Sequence, residues 1–281
     1  MVPGDWEWDP SLYAGSARYY AIGRLPYPPA IAVVLRKELR LDGCGRLLDL
    51  GCGPGSLTLL LAGLFSETVG LDADAAMIED ARRRTHLLGV RNVHWIHMRA
   101  ESLPAVFGKF RVVTLAQSFH WMDRPRVASA LARLLDRDGA LVHVAATTDR
   151  GASCDGELLP GPSPPWDRID EVIAAYLGAV RRAGRGMRPA HIGLGDDEGV
   201  RAAGFSGPRR FELGGGEVFE RTEDEVVASV HSLSSAAPHL FGDRLDAFDR
   251  DVRAALSQVS PSGRFWERSG EAVLSIWRQS S

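Results

Sequence analysis

The stretch Leu47-Leu48-Asp49-Leu50-Gly51-Cys52-Gly53-Pro54-Gly55-Ser56 sets an apolar run against three glycines at alternate positions. Arg46 to Leu50 reads as a buried strand and Ser56 to Phe65 as a helix, so the glycines fall at the handover between them. Working outward, Thr68 to Leu71 reads as a second strand and Ala75 to Leu88 as an amphipathic helix. Val93 to Met98 alternates as a third strand. Arg111 to Ala116 is a fourth, apolar enough to be covered on both faces. Arg126 to Leu135 is helical, Asp136 to Gly139 reads as a turn, and Ala140 to Ala145 is a fifth strand. Strands and helices alternating at this spacing predict right-handed crossovers and an α/β fold, a mostly parallel sheet flanked by helices.

The pattern changes beyond Ala146. Thr147 to Pro165 is rich in Gly, Pro and Ser and predicts a surface loop. Trp166 to Ala183 has helical periodicity, and Asp197 to Ala203 reads as a short helix opened by the acids of Gly195-Asp196-Asp197-Glu198. Arg209 to Phe219 reads as a strand broken by Gly214 to Gly216. Glu223 to Leu233 and Leu245 to Val259 follow as amphipathic helices, and Arg264 to Trp277 as a closing strand. The organisation expected is a lid segment over 1–35, a ligand-binding core over 36–146, insertions and a helical cap with one core strand over 147–263, and a last core strand within 264–281.

Composition excludes several classes. The chain has 281 residues, 33 Lys+Arg against 36 Asp+Glu, a net charge of −3 and 45% hydrophobic residues. That is enough for a full core and leaves no electrostatic footprint for duplex nucleic acid or an anionic membrane. Only Lys37 and Lys109 are lysine, a bias better explained by a GC-rich genome than by guanidinium chemistry. Cys44, Cys52 and Cys154 form no disulfide framework and no C-x-x-C pair, which predicts a reducing, cytoplasmic setting. Met1 to Pro10 lacks the basic-then-apolar pattern of a secretory signal, and the longest apolar run, Leu57 to Phe65, is too short to span a bilayer.

The glycine spacing G-x-G-x-G differs from the dinucleotide fingerprint G-x-G-x-x-G, whose third glycine would fall on Ser56. Asp72 closes the second strand, where a carboxylate can accept hydrogen bonds from both hydroxyls of a ribose. The pattern G-x-x-x-x-G-K-[ST] is absent, which argues against nucleoside triphosphates. An adenosine carrying a small zwitterionic tail remains.

With these motifs in order, the segment from Arg46 to Val144 resembles the class I S-adenosylmethionine-dependent methyltransferases, of Rossmann-like fold. Asp49 to Gly55 resembles the first motif of that family and Gly70-Leu71-Asp72-Ala73 the second. Arg99 to Pro104 is similar to the acidic segment after the third strand. Ala116-Gln117-Ser118-Phe119-His120-Trp121-Met122-Asp123 resembles the motif after the fourth strand in small-molecule members, such as the ubiquinone and trans-aconitate methyltransferase-like group. The resemblance implies S-adenosyl-L-methionine as cofactor. Gly51, Cys52, Gly53 and Gly55 would pass under its methionine and ribose, with Asp49 orienting the amino group. Asp72 would bind the ribose, Ala73 and Met77 would flank the adenine, and Ala100 or Glu101 would meet its amino edge. The Gln117 carbonyl would face the methionine amine. Tyr20 to Pro28, with Arg24 and Tyr27, is similar to a capping helix of one branch, although Arg24-Leu25-Pro26 departs from the usual Arg-Pro pair.

Methyl transfer demands alignment first, and for a hydroxyl or enol acceptor a base second. His120 is the histidine expected at the carboxyl end of a strand beside the reacting centre. It is the candidate base, with packing under the lid as the alternative. His94, His97 and His143 read as core or surface residues, and His231 and His239 as helix-face residues. No metal-ligand spacing occurs, so no catalytic metal is expected. The aromatic N-terminal segment, with Trp6, Trp8, Tyr13, Tyr19, Tyr20 and Tyr27, is expected to act as a lid, with Trp121 and Ser234 near the acceptor. Ser232 and Ser235 are further polar candidates. The leading expectation is methylation of oxygen or carbon in a natural-product or quinone-like small molecule, without nucleic-acid or membrane partners. The competing readings are a nicotinamide-dependent oxidoreductase and a cofactor-binding module that acts on or with a macromolecule.

Overall fold

The structure, a computed structural model, describes residues 9–104, 107–152, 158–180, 182–183, 186–187 and 197–280. Trp6, Trp8, Cys154 and the Gly195-Asp196 helix start lie outside the described residues.

Two short helices, α1 (Ala17–Gly23) and α2 (Ala30–Leu39), precede β1 (Arg46–Leu50). The chain then runs through α3 (Ser56–Leu61), β2 (Glu67–Asp72), α4 (Ala75–Leu88), β3 (Val93–His97), β4 (Phe110–Ala116), α5 (Arg124–Leu134) and β5 (Leu135–Ala146). Helix α4 starts where the Asp74 carboxylate accepts from the Ala76 and Met77 amides, and it stops at Gly89, whose φ of 66° few other residues adopt cheaply. After β5 come α6 (Trp166–Leu177), the small hairpin of β6 (Arg182–Ala183) and β7 (Gly186–Met187), then α7 (Asp197–Ala202), β8 (Phe205–Gly214) and β9 (Val218–Thr222). The chain closes with α8 (Glu223–His231), α9 (Leu245–Val259), β10 (Arg264–Arg268) and β11 (Glu271–Gln279).

The main sheet has the order β3-β2-β1-β4-β5-β11-β8. The first five strands pair in parallel, and β11 is antiparallel to both neighbours. One face is covered by α5 and α7 through Val127, Leu131, Phe110, Val200 and Trp277. The other is covered by α2 and α3 through Ile31, Leu35, Leu57 and Leu61. The predicted α/β class and mostly parallel sheet are what the chain forms.

Four local expectations are corrected. Asp136 to Gly139 is not a free turn but a bulge inside β5, where the pairing with β4 jumps from Phe110↔Leu135 to Val112↔Ala140. The helix from Trp166 ends at Leu177, because Gly178 takes φ 86°. Arg209 to Phe219 is two strands, β8 in the main sheet and β9 in a separate ribbon with β10. Likewise Arg264 to Trp277 divides at Ser269-Gly270 into β10 and β11.

The β9–β10 ribbon belongs to a cap with α6, α8 and α9, whose own core gathers Ile169, Val226, Phe248 and Phe265. At its centre lies an ion pair between Arg221 and Glu267, with side chains only 4% and 3% exposed and Nη1 to Oε2 at 2.8 Å. Arg221 Nη2 donates to the carbonyls of Gly23 and Glu225, and Glu267 Oε1 accepts from the Gly151 amide and Trp166 Nε1. Six segments, the two strands of the ribbon included, thus converge on two charges. Removing one charge leaves the other buried and unpaired. Glu267→Gln is therefore expected to cost about 3–5 kcal/mol of stability, read as a lower urea midpoint at an unchanged slope.

Candidate active site

The carboxyl ends of β1, β2 and β4 meet at a cleft, where an open α/β sheet places its ligand. Three glycines shape its floor, each for a different reason. Gly51 turns the chain at φ 64°, and its amide and that of Cys52 both donate to the Leu71 carbonyl, at 2.8 and 3.1 Å. A Cβ on Gly51 would stand 2.4 Å from Ser118 Cβ. Gly53, at φ 53°, would put a Cβ into open space, so its bare side is the cleft. Gly55 caps α3 at φ 79°, and its Cβ would meet the Trp95 ring at 2.3 Å. Its bareness makes room for that ring on β3.

Asp72 is half-buried at the end of β2. Its Oδ2 accepts from the Gly53 amide and its Oδ1 from the Asp74 amide, both at 2.8 Å. Each oxygen keeps capacity for another donor. Asp49 lies fully buried beneath the loop, where its oxygens accept from Thr58 Oγ1 at 2.5 Å and Thr114 Oγ1 at 2.7 Å. Burial pushes both Asp49 and Asp72 up to about 6 from the ordinary 3.8, against hydrogen bonds that pull the other way. A raised carboxylate binds its proton more tightly folded than unfolded. These two groups therefore cost the apoprotein stability as pH climbs from about 4 to about 6.

The remaining walls come from the segments after β3 and β4 and from the N-terminus. Of the residues expected from sequence, Gly51, Gly53, Asp72, Ala73, Met77, Ala100, Glu101, Gln117, Tyr20 and Trp121 line the cleft. Glu101 is already engaged, by the Asp123 amide at 2.9 Å and Arg99 Nε at 3.3 Å. Gln117 holds φ 54°, and its Nε2 donates to the Tyr27 hydroxyl at 3.1 Å. Tyr13 packs edge-on against Tyr20 and Trp121, with centroids 6.3 and 6.4 Å apart.

Asp49, Cys52, Gly55, Arg24, Tyr27, His120 and Ser234 stand off the cleft wall. Cys52 is buried, and burial pushes its thiol well up. Arg24 is a staple: its Nε donates to Ser232 Oγ at 2.7 Å, its Nη1 lies 3.5 Å from Asp149, and its guanidinium covers the Tyr20 ring. Tyr27 supports Gln117 from behind. His120 lies in the turn Phe119–Trp121 with its ring 4.5 Å from that of Trp121, and Ser234 opens a turn beyond α8. His231 is buried in the cap, with Nε2 2.7 Å from Asp249 Oδ1. Met98, Arg99 and Met122 line the cleft without having been singled out from sequence, although Met98 and Arg99 follow β3 at the end where ligands bind. Among the described residues no group of three or more His, Cys, Asp or Glu side chains gathers as metal ligands, and no helix is long and apolar enough to cross a membrane.

Residues 47–139 match the family described as a methyltransferase domain. Over that segment the chain carries a methyltransferase domain of the class I S-adenosylmethionine-dependent kind. It is 35% identical over 147 residues to an uncharacterized methyltransferase of Mycobacterium tuberculosis, covering 50% of this chain and 55% of that protein. It is also 33% identical over 100 residues to the uncharacterized methyltransferase YcgJ of Bacillus subtilis, covering 35% and 40%. The chain thus spans about half or less of the length of these curated relatives. The crystal structure of the [4+2]-cyclase SpnF shares the fold across 96% of this chain and 97% of that one, with TM-score 0.50 and 17% identity.

The cofactor of this methyltransferase family is S-adenosylmethionine, and the residues present suit it. Gly53 leaves a cradle that a Cβ would fill, and the lone pairs left on Asp72 would suit vicinal hydroxyls as acceptors. Calorimetric titration is expected to show micromolar binding of S-adenosylhomocysteine and none of NADH, with Asp72→Ala weakening the former at least tenfold. Hydroxyls donate to the ionised carboxylate, so wild-type affinity should be flat above pH 7 and fall below about pH 6, by up to tenfold per unit.

Proposed function

We propose that this methyltransferase transfers the methyl group of S-adenosylmethionine to an oxygen or carbon nucleophile of a small, largely apolar molecule of the natural-product or quinone-like kind. The observation that carries the reading is the aromatic closure of the cleft. Tyr13, Tyr20 and Trp121 stand over the glycine loop, and such rings present apolar area with a polar edge to a compact acceptor. The one basic residue lining the cleft among the described residues, Arg99, is tied to Glu101. That arrangement suits neither a polyanionic strand nor a multiply charged acid.

When bound, the cofactor supplies a methyl group on a positively charged sulfur, already a strong electrophile. The protein's part is then alignment and exclusion of water, which can be worth about 7 kcal/mol or more of barrier. Gly51 and Gly53 give the ligand backbone without side chains, and Asp72 fixes its sugar. Gln117, held by Tyr27, sets the wall after β4. Burial pushes the Tyr13 hydroxyl far up, so it stays protonated and is fit to donate a hydrogen bond rather than to take a proton.

His120 has two readings, base or packing residue, and its place behind Trp121 favours the second. We assign it the positioning of the Trp121 ring. A panel of phenolic, enolic and amine acceptors assayed with labelled methyl donor should yield labelled product chiefly from the phenols and enols. In that assay His120→Ala should raise KM for the acceptor severalfold and leave the pH profile of kcat unshifted. Loss of the acid limb of that profile would instead make His120 the base.

A further inference from the structure

The end of the sheet opposite the cleft carries a second cleft, and arginines dominate it. Arg40 follows α2, Arg111 is the second residue of β4, Arg137 sits in the β5 bulge and Arg278 lies near the end of β11. These elements meet there because α2 precedes β1, β4 and β5 begin on this side, and antiparallel β11 ends on it. Four guanidinium groups thus share one surface hollow with two carboxylates, Glu38 and Asp138.

The charge in the hollow is poorly compensated. Glu38 is taken by Arg209 on the neighbouring strand. Arg111 Nη2 donates to the Leu39 carbonyl at 2.7 Å, while its Nη1 is shielded from water and has no acceptor among the described residues. Arg278 Nη1 donates to the Asp138 carbonyl at 2.7 Å and Nη2 to the Glu38 carbonyl at 3.5 Å. All of these are neutral acceptors, so hydrogen bonding is partly met while the charge is not. Burial, and then the charge of Arg111, hold Arg278 below the usual guanidinium range, tempered by Asp136 and Asp138. Arg40 and Arg137 are exposed, and their guanidinium groups have no hydrogen-bond or ion-pair partner among the described residues.

We infer that this hollow is a binding site for a small phosphate-bearing anion, separate from the methyl-transfer cleft. Planar guanidinium forks converging from several strands match the oxygens of a phosphate better than a single lysine would. The anion would neutralise the Arg111–Arg278 repulsion and give the stranded Nη1 an acceptor after a small rotation of the fork. Nothing in the site reaches the cofactor cleft at the other end of the strands, so the two ligands should bind side by side.

The test is calorimetric titration of the full chain with inorganic phosphate and, in a second arm, glycerol 2-phosphate. Ionic strength is held constant and chloride serves as control. Saturable binding of either probe is expected, with the tighter one telling free phosphate from a monoester. Arg40→Asn combined with Arg137→Ser should weaken it at least tenfold and leave S-adenosylhomocysteine affinity unchanged. Both positions are exposed, and asparagine suits the left-handed φ of 49° at Arg40. Absence of saturable binding in both arms, wild-type affinity in the double variant, or displacement of S-adenosylhomocysteine by phosphate would each overturn the inference.

Discussion

Everything at the cleft depends on how the end of β2 grips the turn that follows β1. The Leu71 carbonyl takes two amides of that turn and the Asp72 carboxylate takes a third, so the glycine loop is fastened to the neighbouring strand rather than left to its own conformational preferences. The same carboxylate also holds the Asp74 amide at the entry to α4. One side chain therefore fixes the loop, starts the helix beyond it and still has lone pairs to spare at the cleft wall. Its proximity to Asp49 is tolerated because the Asp49 oxygens are satisfied by Thr58 and Thr114 from two other elements. The arrangement is preorganised: few groups need to move for a ligand to be held.

The signals legible in the sequence are the ones that act locally. Gly51, Gly53 and Asp72 lie at strand ends, where backbone geometry and ligand chemistry make the same demand, and all three line the cleft. The bounds of β1, α4 and α9 follow from apolar periodicity and, for α4, from its Asp74 and Gly89 caps. What escaped reading depends on partners remote in the chain. Gly55 looks like a ligand glycine, yet its neighbour is Trp95 on β3. Asp136 to Gly139 has sound turn chemistry, but pairing with β4 absorbs it as a bulge. The division of Arg264 to Trp277 was marked only by Ser269-Gly270. Without knowing that β9 waits for β10, a strand and its break read alike. For His120 the sequence fixes a place at the end of β4 but carries no information on which way the ring turns.

The cap illustrates how a domain boundary in space can disagree with one in sequence. Arg221 and Glu267 gather α1, α6, α8, β9, β10 and the segment after β5 around a single buried pair. Apolar side chains alone could stabilise such a junction, but they would not specify which six segments meet there. Supplying donors to both oxygens of a buried carboxylate does. Arg24 repeats the logic at the margin, joining α1 to the end of α8 and to Asp149.

Gly23 carries this furthest. A Cβ there would fall 2.2 Å from the backbone of Ser229, so α1 and α8 touch main chain to main chain. Although α1 comes before the whole core in sequence, it is mechanically a part of the cap. A chain shortened past Gly23 would not be the same protein with its entrance left ajar. It would expose the face of α8 that α1 covers, strip Arg221 of one of its carbonyl partners, and invite a second copy to cover what the missing helix had sealed.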